Sequence, residues 1–315
     1  MAGNRPDTGD VHVNALLTNL SIAYINDSYI ADKVFPIVMV NKQSDIIPLY
    51  TKAYWFRDEA KERAPGTEAA KSGWAVDNTN TFFTKCYALA KEIPDEVRLN
   101  ADAPYDFDRD ATTWVTDKLM MKRETLFAAA VNAGSIWTTN TTVTTKWSDF
   151  ANSDPVNDIK TGNRTMTQLI GRQANTLVMG QLVFDRLTEH PDFMEKIKYT
   201  QTGIVTEALI ARALNLDNLY VAYAIYESAV EGATSSMAPI WDDDAVLLYV
   251  PTAPSLLAPA AGYTFIWRPL VGGGAQFMRR FRVESRSVDV IEGRTFVHHK
   301  VTSADAGVRW ADCVD

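Results

Sequence analysis

Residues 111–133 read ATTWVTDKLMMKRETLFAAAVNA, and the rest of the chain is arranged around them. The stretch lacks proline and glycine and runs into Gly134, a residue type that readily takes the left-handed conformation closing a helix. Asp106, Asp108 and Asp110 come just before it, where carboxylates favour the positive end of a helix dipole. At about 100° per residue, Val115, Leu119, Leu126 and Ala130 share one face, flanked by Met120, Phe127 and Val131. Arg123 interrupts that face, and Trp114 and Met121 lie on the opposite, more charged side. At 1.5 Å per residue such a helix spans roughly 35 Å. It reads as the spine of a domain, with one buried face and a second surface left for a neighbour.

Downstream, Ser135–Ser153 is polar and carries Trp137 and Trp147. Asp154 and Pro155 then supply a cap and a first-turn proline for a helix running toward Arg172, weakened by Gly162. From Asn175 the pattern is α/β. Thr176–Met179 is a short buried strand, and Gln181–Glu189, Phe193–Ile197 and Thr206–Leu214 are helical. Leu219–Tyr226, Ala245–Tyr249, Val288–Val290, Thr295–Val301 and Ala306–Trp310 are strands. Tyr263–Trp267 and Phe277–Val283 flank Gly272–Gly274 and read as a hairpin.

Upstream lies a ribbon. Ser44–Trp55 is extended and apolar, and Arg57–Lys71 is charged around the turn pair Pro65–Gly66. Trp74–Ile93 alternates, with Phe82, Thr84, Cys86 and Ala88 opposing Phe83, Lys85, Tyr87 and Leu89. An isolated two-stranded ribbon is marginal in water, so one that protrudes needs a partner surface. Folding back onto its own domain is the alternative. In Tyr29–Val40, Pro36 favours an extended edge or turn over a central strand. Asn14–Tyr24 carries Leu16, Leu17, Leu20 and Ile22 and fits a short helix or an arm lying on another subunit.

The 315 residues suffice for one large or two ordinary domains. No apolar run approaches the ~20 residues of a membrane helix, and the first residues lack a secretory pattern. Cys86 and Cys313, far apart, make neither a four-thiolate metal site nor a disulfide framework, which fits a reducing compartment. A net charge of -8 argues against a surface that grips nucleic acid throughout.

Catalytic and metal motifs are missing. Asp106, Asp108, Asp110 and Asp117 fall on calcium-loop spacing, but Ala111 stands where glycine is needed, and helix capping accounts for the first three more simply. Asp242–Asp244 are consecutive and point to alternating faces of an extended chain. His12, His190, His298 and His299 lack partners at ligand spacing; His190 ends a helix, where positive charge suits the dipole, and His298 and His299 face opposite ways if on a strand. Neither nucleophile-elbow nor phosphate-loop motifs occur. No cofactor is expected. Arg279, Arg280, Arg282 and Arg286 form the densest basic cluster. They suit nucleic acid, a solvated strand face, or acidic residues of an adjacent subunit such as Glu59, Glu62 or Glu68.

The order of these parts resembles the major capsid proteins of tailed bacteriophages, which have the HK97-like fold. IADKVFP, from Ile30 to Pro36, is the most specific matching piece. NTLVMGQLVFDRLTEHPDFMEKIKYT from Asn175, VTEALIARALNLDNLYVAYAIYESA, and GYTFIW from Gly262 follow in the family's order. The resemblance implies an α+β shell protein without catalytic residues. It has an N-terminal arm (1–46), an extended loop (47–93), a peripheral domain holding the spine helix (94–171), and a mainly axial domain (172–315). Strands near 284–302 would return to the peripheral domain. Implied partners are further copies in hexamers and pentamers, a separate scaffolding protein, a portal, a decoration protein and packaged double-stranded DNA. Assembly would take place in the bacterial cytoplasm. Expected contacts between subunits are Leu16, Leu20, Tyr54, Trp55, Phe82 and Phe83 through apolar burial, and Arg57, Glu59, Glu62, Glu68, Arg280 and Arg282 through charge. Lys61 and Lys71 lie in the loop tip, but neither an acidic catalyst nor an acceptor asparagine for an isopeptide bond can be matched. An encapsulin-like compartment, a minor virion protein of the same fold and an α/β-hydrolase-like enzyme are the competing expectations.

Overall fold

The computed structural model describes residues 26, 29–101, 106–197, 206–254, 259–268 and 276–315. The spine helix is Phe107–Val131. Asp106 caps it, accepting from the Arg109 amide at 3.2 Å. Its far end closes on Asn132, four residues after Ala128, and not at Gly134. Trp137 supports that end by donating its indole N–H to the Val131 carbonyl at 2.7 Å. The buried stripe is Ala111, Val115, Leu119, Arg123, Phe127 and Val131, joined by Glu124 and Ala128. Leu126 and Ala130, expected on the buried face, are only half-buried. Arg123 belongs to the core because Asp32 meets its guanidinium there.

Two sheets flank this helix. In the first, Ile37–Val40 runs parallel to Gly262–Trp267, which is antiparallel to the long strand Val288–Val301. Phe277–Val283 and Lys85–Pro94 also pair with Val288–Val301. Val297 is bonded to both Lys85 and Ile266, so Gly262–Trp267 and Lys85–Pro94 take opposite edges. Phe277–Val283 continues along the Gly262–Trp267 edge in the same direction. The expected hairpin between Tyr263–Trp267 and Phe277–Val283 is therefore wrong. The two segments lie end to end on one edge of the long strand and run the same way, so they cannot pair as a hairpin, and Val288–Val290 and Thr295–Val301 are one strand, not two.

The second sheet has the order Thr139–Thr142, Gly307–Ala311, Ala245–Leu248, Thr176–Gly180, Asn218–Ala222. All five residues of Thr176–Gly180 are buried, as a strand covered on both faces requires. Helix Pro155–Ile170 packs on this sheet. Gly162 does not weaken it: a Cβ there would lie 2.6 Å from the Trp310 ring, so the glycine allows close helix–sheet approach. Gly171, at φ +68°, closes the helix. Residues 139–170, grouped by sequence with the spine helix, thus pair and pack with the second sheet. Strands Gly262–Trp267 and Phe277–Val283, grouped with the axial part, lie in the spine's sheet. Leu219–Tyr226 splits into Asn218–Ala222 and a separate hairpin of Ile225–Glu227 with Met237–Pro239.

Residues 30–36 clamp the spine. The Ile30 and Ala31 amides donate to one Glu124 carboxylate oxygen at 2.9 and 2.8 Å. Burial pushes the Glu124 carboxyl up while those amides pull it down. Phe35 meets Phe127 edge-on at 5.0 Å. The extended edge expected at Pro36 is the edge strand Ile37–Val40, preceded by a helical turn, Ala31–Val34.

The spine crosses the long strand at Gly293. A Cβ there would lie 2.6 Å from Val115 Cγ1 and 2.7 Å from Leu119 Cδ1. Gly293→Val is expected to push the helix off the sheet and cost about 2–3 kcal/mol, measured by urea unfolding. Gly293→Ala is expected to cost less, because Leu119 and Met278 present flexible ends while Val115 is branched.

Candidate inter-subunit surface

The ribbon is built from short pairings. Ser44–Ile46 pairs with Thr81–Phe83, and Leu49–Tyr50 pairs with Val76–Asp77. A helical turn, Lys52–Trp55, follows. The Lys52–Asp305 ion pair ties the ribbon's base to the body. At Lys85 the returning strand leaves the ribbon for the first sheet. The inward set changes there: Phe82 and Thr84 are buried, but Cys86 and Ala88 are exposed while Tyr87 and Leu89 turn inward. The alternation expected across residues 82–89 therefore holds only up to the change of sheet.

Beyond its base the ribbon leaves aromatic surface in water. Trp55 is 57% exposed, Phe56 65% and Trp74 69%. Tyr54, Tyr50, Ile46 and Phe83 are exposed as well. Arg57 lies over the Tyr54 ring at 5.1 Å and pairs with Glu59 at 3.1 Å. Glu68 pairs with Lys71 at 3.1 Å, and Glu62 is exposed on the tip. These tip charges are solvated, so they contribute register more than affinity.

Phe82, Arg280 and Arg282, expected at subunit contacts, are engaged with the body of their own chain. Phe82 stacks on Phe265 at 4.4 Å and is buried, because it closes the apolar cluster of Ile47, Ala260 and Tyr263 beneath the ribbon. Arg280 bonds Asp289 at 2.6 Å and Asp108 at 3.1 Å. Arg282 forms a bidentate pair with Asp95 at 3.0 and 2.6 Å. Arg98 also meets Asp289 and Asp108, at 2.5 and 2.9 Å. Hydrogen bonds from Arg280 and Arg98 hold the Asp289 carboxyl at about 2, well below its ordinary range. This ladder braces the first sheet against the start of the spine helix. Leu16 and Leu20 lie outside the described residues, as does Gly272–Gly274.

The metal candidates are also engaged. Asp108 and Asp110 pair with arginines, and Asp117 accepts the Tyr29 hydroxyl at 2.6 Å. Asp244 pairs with Arg309 at 2.8 Å, and burial pushes the Asp243 carboxyl up. Among the described residues no group of three or more His, Cys, Asp or Glu could hold a metal ion. His190 is buried at the end of helix Gln181–Glu189, where the sequence places it. Its Nδ1 accepts the Asp192 amide at 3.3 Å, helping to start the next helix, and its Nε2 meets Ser153 Oγ at 3.1 Å. His298 and His299 sit on opposite faces of the long strand, as expected. Cys86 is exposed and Cys313 buried, with neither in a disulfide.

The ribbon's Phe56 and Trp74 and the hairpin at Ile225 and Met237 were missed at the level of sequence. Tyr54–Trp55–Phe56 is itself a signal, three adjacent aromatics that one strand cannot bury on one face. The hairpin had none, since LYVAYAIY reads as continuous strand.

A model of phage major capsid protein E matches residues 136–260. The major capsid protein of Burkholderia phage BcepMu is 28% identical over 305 residues, covering 94% of each chain. A phage-related protein from Bordetella bronchiseptica superposes with a TM-score of 0.70 at 18% identity, over 92% of this chain and 94% of that one. The capsid structure of cyanophage P-SCSP1u gives 0.63 at 9% identity, over 98% and 96%. The structural matches carry the fold, and the sequence matches make the chain similar to phage major capsid proteins. The chain has the HK97-like fold of phage capsid proteins, and in sequence it is similar to phage major capsid proteins.

Proposed function

We propose that this capsid protein closes into an icosahedral shell of hexamers and pentamers around double-stranded DNA, with the ribbon laid on a neighbouring copy. The observation that carries the reading is the aromatic surface of Trp55, Phe56 and Trp74 on a ribbon too short-paired to stand alone. Burying one such side chain on a neighbour contributes about 1.5–3 kcal/mol before ordering costs. Repetition by symmetry turns modest contacts into a stable container. The first sheet with the spine helix serves as the peripheral part, and the second sheet with its helices as the axial part. Scaffolding, portal and decoration proteins are separate partners, and assembly takes place in the host cytoplasm. The DNA is enclosed without sequence reading: Arg280 and Arg282, the densest cations in the sequence, are held by carboxylates.

The chain's role is structural. An α/β-hydrolase-like enzyme needs a largely parallel sheet, and both large sheets here are mixed. The sequence relatives are phage capsid proteins, which favours a virion shell over an encapsulin-like compartment. Electron microscopy of the purified full chain tests the proposal. Shells or capsomer rings are expected; monodisperse 35.0 kDa particles at all concentrations would overturn it.

A further inference from the structure

A groove of about 860 Å³ runs between the spine helix and the hairpin Ile225–Glu227/Met237–Pro239. Trp114 and Met121 line it from the spine helix, Ile225 and Met237 from the hairpin, and Ile93 and Phe107 line it as well. Trp114, Ile225 and Met237 are each more than two-fifths exposed, so apolar surface faces solvent on both walls.

Asn26 stands at the rim. Its side-chain amide donates to the Ile225 carbonyl at 3.0 Å and accepts the Ile225 amide at 3.1 Å. This two-point pairing treats the amide as one more unit on the hairpin's edge. Twenty-five residues precede Asn26, so the chain delivers them at the groove's mouth. The nearest are NALLTNLSIAY, residues 14–24, which carry no charge. At a maximum of about 3.5 Å per residue, Ile22 reaches some 14 Å from Asn26 and Leu20 some 21 Å. The wall from Trp114 to Met121 is about 10 Å long at helical rise. Both side chains therefore reach the groove without help from another copy.

We propose that the leading segment seats in this groove of its own subunit, with Leu20 and Ile22 between the spine helix and the hairpin. This assigns Leu20 to an intrachain contact, in place of the neighbour expected from sequence, and it stands whether or not the ribbon reaches another copy.

Paired cysteines in the full chain test it. Leu20→Cys is combined with Met237→Cys, and Ile22→Cys with Met121→Cys, each in a Cys86→Ser background. Ser44→Cys with Phe83→Cys, opposite each other in the ribbon, is the control. Unassembled subunits are oxidised across a twenty-fold dilution series. The expected result is an intrachain disulfide in at least one arm pair, with a yield independent of concentration. Interchain products that fade on dilution would overturn the proposal, as would a control that closes while neither arm pair does. Hydrogen exchange on the unsubstituted chain gives a second reading. Deleting residues 2–24 is expected to speed exchange in peptides spanning 107–121 and 225–239 at least fivefold, and unchanged rates would count against the groove.

Discussion

Removing residues 57–72 leaves a folded, soluble subunit that no longer closes regular shells. Every residue in that stretch is exposed except half-buried Glu59, and it lies beyond the last ribbon pairing at Leu49–Tyr50 and Val76–Asp77. Its ion pairs, Arg57–Glu59 and Lys71–Glu68, are internal to the tip. Nothing in the core rests on it, so the thermal midpoint is expected to move by no more than about 2 °C. Assembly should fail because the segment holding Trp55 and Phe56 apart from Trp74 is gone, and the aromatic surface cannot meet a neighbour in one geometry. Calorimetry beside electron microscopy checks both halves. Regular closed particles from the deletion would remove the ribbon from the assembly mechanism.

The second large effect is a loss of stability on acidification that belongs to His299. The ring is buried in the long strand, its Nδ1 2.9 Å from Thr264 Oγ1, and it meets the Phe127 ring in a T-shaped contact at 5.5 Å. Burial, then the nearby Arg123 charge, then His298 push it down from the ordinary 6.5 to about 3. The unfolded chain therefore takes a proton first. Stability is unaffected above pH 6.5 and falls as pH drops from 6.5 toward 3, by about 1.4 kcal/mol per pH unit at most. Over that window the loss approaches about 5 kcal/mol. Glu124, also facing this region, acts in the opposite sense. Burial raises its carboxyl, so its folded form gains a proton first and its contribution grows as pH falls. His299→Gln keeps a partner for Thr264 and removes the titration. Urea unfolding at pH 7 and pH 4.5 is expected to show a difference at least 1 kcal/mol smaller in the variant than in the parent. Equal differences would show that the ring is not the group responsible.

Much of the framework was legible in the residues because local rules govern it. Asp106 and Asp154 cap their helices through their own side chains, and Pro155 takes the first turn. The strands Thr176–Gly180 and Ala245–Leu248 follow from short apolar runs. IADKVFP carried the resemblance, and its place on Arg123, Glu124 and Phe127 gives that motif a physical reason. Tyr54 and Trp55 were named from sequence as expected contact residues, and both are exposed on the subunit.

What sequence determined by itself was the spine helix, the N-terminal caps of the two long helices and the short buried strands, which depend on neighbours within a few positions. The tertiary structure alone decided which strands share an edge, so Gly262–Trp267 and Phe277–Val283 lie in line along Val288–Val301 and do not pair with each other. It also decided which charges are used up. Arg282 lies opposite Asp289 in strand register and close to Asp95, a residue 187 positions away in the chain. Burial and ion pairing depend on distances between remote residues, and no local pattern in the chain encodes them.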